Sequence, residues 1–199
     1  RIGAALELAV RSEISALSQL MRLARRLAPP FEKKDFGHRF DDLYSVYEIP
    51  KRSGGARIIS APAPHLKAAQ RALLKLLYDE GVSDHAMGFV LGRGIRDNAA
   101  RHVGQDIVVN ADVRAFFPST CYRRVYSLAH KLCDGQLSPL SARLFAEICC
   151  HAGHLATGAP TSPAVSNLIL RDLDARLDKI ADSLGVRYSR YADDLTFSG

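Results

Sequence analysis

The 199-residue chain contains no apolar run approaching the ~20 residues that cross a bilayer as a helix, so no membrane partner is expected. Cysteine is scarce. Cys121, Cys133, Cys149 and Cys150 are too few and too irregular for a disulfide framework, and none forms a CxxC pair. A reduced, cytoplasmic setting is the expectation. The seven histidines lack metal-ligand spacing, which argues against zinc. Ordinary Gly (14) and Pro (9) counts beside 47% hydrophobic residues exclude collagen, coiled coil and disorder. There is no repeat, low-complexity stretch or flexible linker, so the parts are expected to fold as one unit. No signal peptide precedes Arg1 and no initiator methionine is present, as in a processed chain or an excerpt of a longer one. The length suits one large domain or two small interleaved ones.

What is present begins with a modest basic excess. Net charge is +6, from 27 Lys and Arg against 21 Asp and Glu, which permits a phosphate-rich partner without requiring one. Leu6 to Leu27 has apolar residues at helical spacing, with Arg22, Arg25 and Arg26 on its far side. Tyr44 to Pro50 and Ala56 to Ala61 read as two strands joined by the basic, glycine-containing turn Lys51–Gly55. A helix follows from about Pro64 to Tyr78; Leu66, Leu73 and Leu77 face the core, and Lys67, Arg71 and Lys75 form an outer stripe. Gly88 to His102 is a glycine-rich turn entering a short helix, and His102 reads more readily as a satisfied structural histidine than as a catalyst.

Ile107 to Val113 is a β-branched strand in which Asp112 interrupts a run that otherwise calls for burial. Phe116-Phe117-Pro118 ends it, and Ser119 is placed to cap a helix reaching about His130. Ser138-Pro139 starts another helix, with Leu140, Leu144, Ala146 and Ile148 as core. Beyond the tight Thr157–Pro163 loop, Ser162 is expected to cap one long helix with Ile169, Leu170, Leu173, Leu177, Ile180 and Leu184 as its apolar line. Val186 to Tyr191 and Leu195 to Ser198 are strands flanking an Asp193-Asp194 turn.

Adjacent acids in a turn are commonplace. They gain meaning beside a lone acid in a neighbouring strand, because three converging carboxylates repel one another unless a divalent cation lies between them. Hard oxygen ligands with room for substrate phosphates describe Mg²⁺. Two such ions can clamp the attacking and leaving oxygens of a displacement at phosphorus. The basic hairpin is placed to hold a triphosphate.

The ordered set Asn110-Ala111-Asp112-Val113-Arg114-Ala115-Phe116-Phe117, Thr157-Gly158-Ala159-Pro160-Thr161-Ser162-Pro163 and Tyr191-Ala192-Asp193-Asp194 resembles the palm motifs of reverse transcriptases. Ile49 to Pro62 resembles the fingers hairpin of that family, and Asn98-Ala99-Ala100-Arg101-His102 is similar to the NAxxH signature of bacterial retron reverse transcriptases. The likeness covers the chain from about Tyr44 onward. It implies an α+β fold of right-hand polymerase type, with an antiparallel palm sheet packed on helices. Residues 1–43 would be an N-terminal helical segment, 44–104 and 119–155 fingers, and 105–118 with 156–199 an incomplete palm, the thumb absent. Such a portion would carry its acids yet be poorly competent alone.

Carried over by position, the resemblance makes Asp112 and Asp193 ligands of both Mg²⁺ ions, Asp194 a more peripheral carboxylate, and the Val113 carbonyl an assisting ligand. Phe117 matches the steric gate that excludes a ribose 2′-OH. Arg57 matches the arginine holding the deoxynucleoside triphosphate (dNTP), and Arg52 or Lys51 its basic partner. Gly158 would let the backbone approach nucleotide or template, and Thr157 stands where many relatives have Gln. The implied partners are a structured RNA template and primer, nascent DNA and dNTPs, with room for an effector protein. Neighbouring readings are a group II intron, diversity-generating or abortive-infection reverse transcriptase. A different one is a non-catalytic RNA-binding scaffold that retains the fold, against which the three acids and the aromatic gate argue.

Overall fold

A computed structural model describes residues 40–51, 54–132 and 137–199. The Leu6–Leu27 helix with its arginines, Arg52 and Cys133 lie outside the described residues.

Strands β1 (Tyr44–Pro50) and β2 (Ala56–Pro62) form the expected antiparallel hairpin, with Tyr44 opposite Pro62 and Pro50 opposite Ala56. Helix α1 (Pro64–Asp79) buries Leu66, Leu73 and Leu77 and exposes Lys67, Arg71 and Lys75, as its periodicity predicts. After α2 (Ile95–Ala100) and β3 (Val108–Asp112) come α3 (Tyr122–Lys131) and α4 (Pro139–Cys149). The Ser138 hydroxyl caps α4 by accepting the Ser141 N–H at 3.2 Å. A two-residue hairpin, β4 (Cys150–His151) and β5 (His154–Leu155), precedes α5 (Ser162–Ile169) and α6 (Arg171–Ser183). Strands β6 (Arg187–Tyr191) and β7 (Asp194–Ser198) complete an antiparallel sheet of order β3-β7-β6.

The apolar core lies among the helices. Leu73 and Leu77 of α1, Val125 and Leu128 of α3, Phe145 of α4 and Val165 of α5 belong to one buried cluster. Each fully buried side chain of this kind contributes about 1.5–3 kcal/mol. The three-stranded sheet is held differently. One face carries small polar groups, and the Thr196 hydroxyl donates to Asn110 Oδ1 at 3.0 Å. The opposite face stacks Tyr188 on Phe197, with ring centroids 5.0 Å apart.

Four sequence expectations are corrected. Strand β3 is exposed along its whole length, since it is the outer strand of its sheet; the other edge, β6, is covered by the His85–Met87 segment. Ser119 does not cap α3. Its hydroxyl donates to the Phe116 carbonyl in a turn, and the helix begins three residues later, after Cys121. The single long helix is interrupted at Leu170, and Ser162 is the first helical residue rather than the cap. That interruption turns Asp174 and Ala181 inward and leaves Leu173, Ile180 and Leu184 exposed. Leu140, in the first turn of α4, is 51% exposed instead of core.

Candidate active site

The fold brings the three acids to one end of the sheet. Asp112 ends β3 and pairs directly with Asp194, the first residue of β7. Asp193 occupies the β6–β7 turn, and its carbonyl accepts the Val113 N–H at 2.9 Å, tying the end of β3 to the turn. The Asp194 carboxyl is raised above its ordinary range, first by partial desolvation and then by the negative charges of Asp193 and Asp112. That mutual repulsion is the electrostatic signature of an anionic cluster.

Beside the acids lies a cavity of about 540 Å³. Asp112, Val113 and Asp193 form one part of its wall, Lys51 and Arg57 of the β1–β2 hairpin another, and Phe117 and Thr157 complete it. Lys51 and Arg57 are exposed and Phe117 is half-buried. Segments far apart in sequence therefore converge on one space, with acids and bases on its walls. The hairpin is fastened to this space at its root, where the Ser60 N–H donates to the Thr157 carbonyl at 2.7 Å.

Gly158 sits just behind the wall. Its φ of +122° is a conformation that side chains rarely adopt, and a Cβ there would meet the Ser60 carbonyl oxygen at 3.0 Å and Ile59 Cγ2 at 3.1 Å. Its lack of a side chain lets the Thr157 loop close on β2. Asp194 stands beside the cavity rather than in its wall.

The Phe117 ring is braced by Phe116 at 5.1 Å between centroids and faces Phe89 at 6.2 Å. Phe89 also lines the cavity, and the sequence reading missed it. It is one of four non-glycine residues with left-handed φ among the described residues; of the others, Ala115 shares the cavity wall and Ala192 precedes Asp193. Backbone strain of about 1–3 kcal/mol per residue gathers at functional sites when the surroundings enforce it.

The sequence profile described as "Reverse transcriptase (RNA-dependent DNA polymerase)" matches residues 49–199. The chain belongs to the reverse transcriptase family. It is 44% identical over 171 residues to the Retron Mx162 reverse transcriptase of Myxococcus xanthus and 43% identical over 172 residues to the Retron Mx65 reverse transcriptase of the same organism. It is 36% identical over 161 residues to the Retron Ec86 reverse transcriptase of Escherichia coli. These alignments take in 78%, 78% and 79% of this chain but 35%, 40% and 49% of the relatives, so the chain spans less than half the length of each.

Within this reverse transcriptase domain, the acidic turn rests on a buried polar network. The Arg190 guanidinium is wholly buried in β6 and meets the equally buried Asp174 carboxylate of α6 through Nε and Nη2, both at 2.8 Å. Its Nη1 donates to Asn167 Oδ1 at 2.9 Å and to the Ala192 carbonyl at 3.0 Å. One guanidinium thus links α5, α6 and the left-handed residue next to Asp193. Asn167 Nδ2 donates to the Gly88 carbonyl at 3.0 Å, and a Cβ on Gly88 would fall 2.5 Å from the Ala192 nitrogen. Only glycine admits that approach. Sequence reasoning missed Arg190 and Asp174, since a single sequence does not announce that two charges sixteen residues apart will pair.

The retron-like Asn98–His102 segment braces the sheet from its other face. The Ser189 hydroxyl donates to Asn98 Oδ1 at 2.8 Å, so it accepts from His102 Nε2–H at 2.7 Å. His102 Nδ1 then accepts from the Ser198 hydroxyl at 2.7 Å. The ring is neutral and fully used. Burial, then the nearby Arg101 and Arg187 charges, hold its pKa below the ordinary imidazole value. His102 is a satisfied structural histidine, as its sequence context suggested.

Proposed function

We propose that these residues are the fingers and palm of a retron-type RNA-directed DNA polymerase that copies a structured RNA into DNA. The β1–β2 hairpin and the helices through residue 155 form the fingers, while the β3-β7-β6 sheet with α5 and α6 forms the palm. The observation that carries this reading is the convergence of Asp112, Asp193, Lys51, Arg57 and Phe117 on one cavity. The relatives named as retron reverse transcriptases support the choice of RNA as template.

The residues present fit Mg²⁺. Among the described residues, no three His, Cys, Asp or Glu side chains close a metal cage on their own. Mg²⁺ asks for less, because it keeps several waters and is commonly held by one or two carboxylates together with substrate phosphates. Asp112 and Asp193, with the Val113 carbonyl and the peripheral Asp194, would hold two such ions. Bound there, the ions would supply charge neutralisation for displacement at phosphorus.

The chain's own part is positioning. Arg57, with Lys51 or its sequence neighbour Arg52 as basic partner, would hold the triphosphate of an incoming nucleotide in the cavity that the acids share. Arginine suits that role because its planar guanidinium grips phosphate oxygens in pairs. Phe117, braced by Phe116, would lie under the sugar and collide with a ribose 2′-OH, favouring dNTPs. Thr157 offers a shorter polar group than the Gln of many relatives, with one hydroxyl donor instead of an amide.

Among the described residues, Cys121, Cys149 and Cys150 are free, and burial pushes the Cys149 thiol up to about 12, away from the thiolate form that reacts. We place the protein in the cytoplasm. Among the described residues no helix is long and apolar enough to cross a membrane. The test is primer extension by the full-length protein on primed RNA with dNTPs. Incorporation that a chelator abolishes and Mg²⁺ restores is expected. An intact, RNA-bound protein that incorporates nothing would favour the scaffold reading instead.

A further inference from the structure

We infer that a second, basic groove, between α3 and the α5–α6 junction, docks the phosphate backbone of a folded RNA away from the catalytic cavity; the identity of this partner rests on the polymerase reading above. The groove encloses about 630 Å³. Helix α3 contributes Arg123, Arg124 and Lys131, and α6 contributes Arg171 and Arg176. Arg123 and Lys131 lie eight residues apart on one row of the α3 surface, a span of about 12 Å at the helical rise. The track is therefore longer than a single phosphate, and it crosses from one helix to another.

Its charges are not neutralised from within. Arg123, Arg124, Lys131 and Arg176 are exposed, and among the described residues none of their side chains has a hydrogen-bond or ion-pair partner. Arg171 spends one Nη1 on the Glu80 carbonyl at 2.9 Å. Asp172 is the one carboxylate among the described groove residues. A solvated stripe on a convex helix, such as Lys67 and Arg71 on α1, spreads its charges into water. Here two helices aim cations into one concavity, where like charges repel unless a polyanion relieves them. Guanidinium groups predominate, and their paired N–H donors match phosphate oxygens better than a point charge does.

The position says which part of an RNA it would hold. Helix α5 starts beside the Thr157 loop of the catalytic cavity and ends at Ile169 in the groove, so the two regions lie at opposite ends of one helix about 12 Å long. They share no lining residue. An RNA engaged at both would present its copied segment to the acids and a separate folded segment to the groove.

The test uses the full-length protein and a synthetic RNA hairpin, since backbone recognition is independent of sequence. Binding is measured against salt for the parent, for Arg124→Gln with Arg176→Gln, and for Lys67→Gln with Arg71→Gln as an equal charge loss elsewhere. The groove pair is expected to weaken binding about tenfold or more and to flatten the salt slope by about 2, one for each phosphate that is no longer neutralised. Its thermal unfolding should match the parent's, and the α1 pair should leave the slope as it was. Unchanged binding in the groove pair overturns the inference and leaves the groove to another class of partner, such as an acidic protein. Equal flattening by both pairs also overturns it, as an effect of net charge alone. Failure of the polymerase reading shows separately, as a parent that binds the hairpin but extends no primer.

Discussion

Replacing Asp174 with Asn strands the Arg190 guanidinium inside the protein. Both side chains are completely buried, and the carboxylate accepts two bonds from Arg190 and one from the Tyr188 hydroxyl, each at 2.8 Å. An amide is neutral and offers one acceptor oxygen where the carboxylate offers two. Removing one partner of a buried ion pair costs about 3–5 kcal/mol, because the remaining charge has no water to turn to. Against a total stability of about 5–15 kcal/mol this is a large share. Urea unfolding of the full-length protein, followed in the reverse transcriptase domain, should show a loss of that size. Changing both partners, Asp174→Leu with Arg190→Met, removes the stranded charge and should recover most of the stability. Primer extension should nevertheless stay depressed, because the Arg190 bond to the Ala192 carbonyl is still missing. An Asp174→Asn protein within about 0.5 kcal/mol of the parent would contradict the buried pair. A double variant with full extension would show that Arg190 does not hold the acidic turn.

Three further outcomes are expected. Gly88→Ala forces a methyl group against the Ala192 nitrogen, costs about 1–3 kcal/mol in overpacking, and should lower extension about a hundredfold if the turn shifts by ~1 Å; near-parental extension rates would count against this close approach. Phe117→Ala should reduce discrimination against ribonucleotides about tenfold or more in single-nucleotide incorporation, whereas equal acceptance by variant and parent would remove Phe117 from the gate. Because the folded state holds His102 below the ordinary imidazole pKa of about 6.5, the unfolded chain takes up the proton first. The contribution of His102 is thus full above about pH 6.5 and lost as pH falls through its folded value. The stability gap between parent and His102→Gln should narrow from about pH 7 to about pH 5, and a gap independent of pH would contradict the neutral ring.

Much of the site can be read from local sequence. The β1–β2 hairpin, the α1 periodicity and the Ser138 cap follow from patterns a few residues long, and the three acids gain meaning together, as a lone carboxylate in a β-branched strand and an adjacent pair in a turn. The misreadings arise where tertiary context decides. The strand β3 looks like a buried strand from its β-branched residues, yet burial depends on where a strand lies in its sheet, and it is an edge. The break at Leu170 involves neither proline nor glycine, so the apolar line drawn across it follows the wrong face. Asp174 and Ala181, seven residues apart, mark the inward face of α6. A local signal that a buried cation would oppose Asp174 is absent from the sequence. Phe89 offered no signal either, since its place depends on a left-handed backbone in a glycine-rich turn.

The most direct measurement is Mg²⁺-dependent dNTP incorporation on primed RNA by full-length Asp193→Asn protein beside the parent. Loss of incorporation with RNA binding retained is expected if Asp193 anchors the catalytic metals. Incorporation at the parental rate would contradict the assignment of this carboxylate, and with it the acidic cluster as the seat of the chemistry.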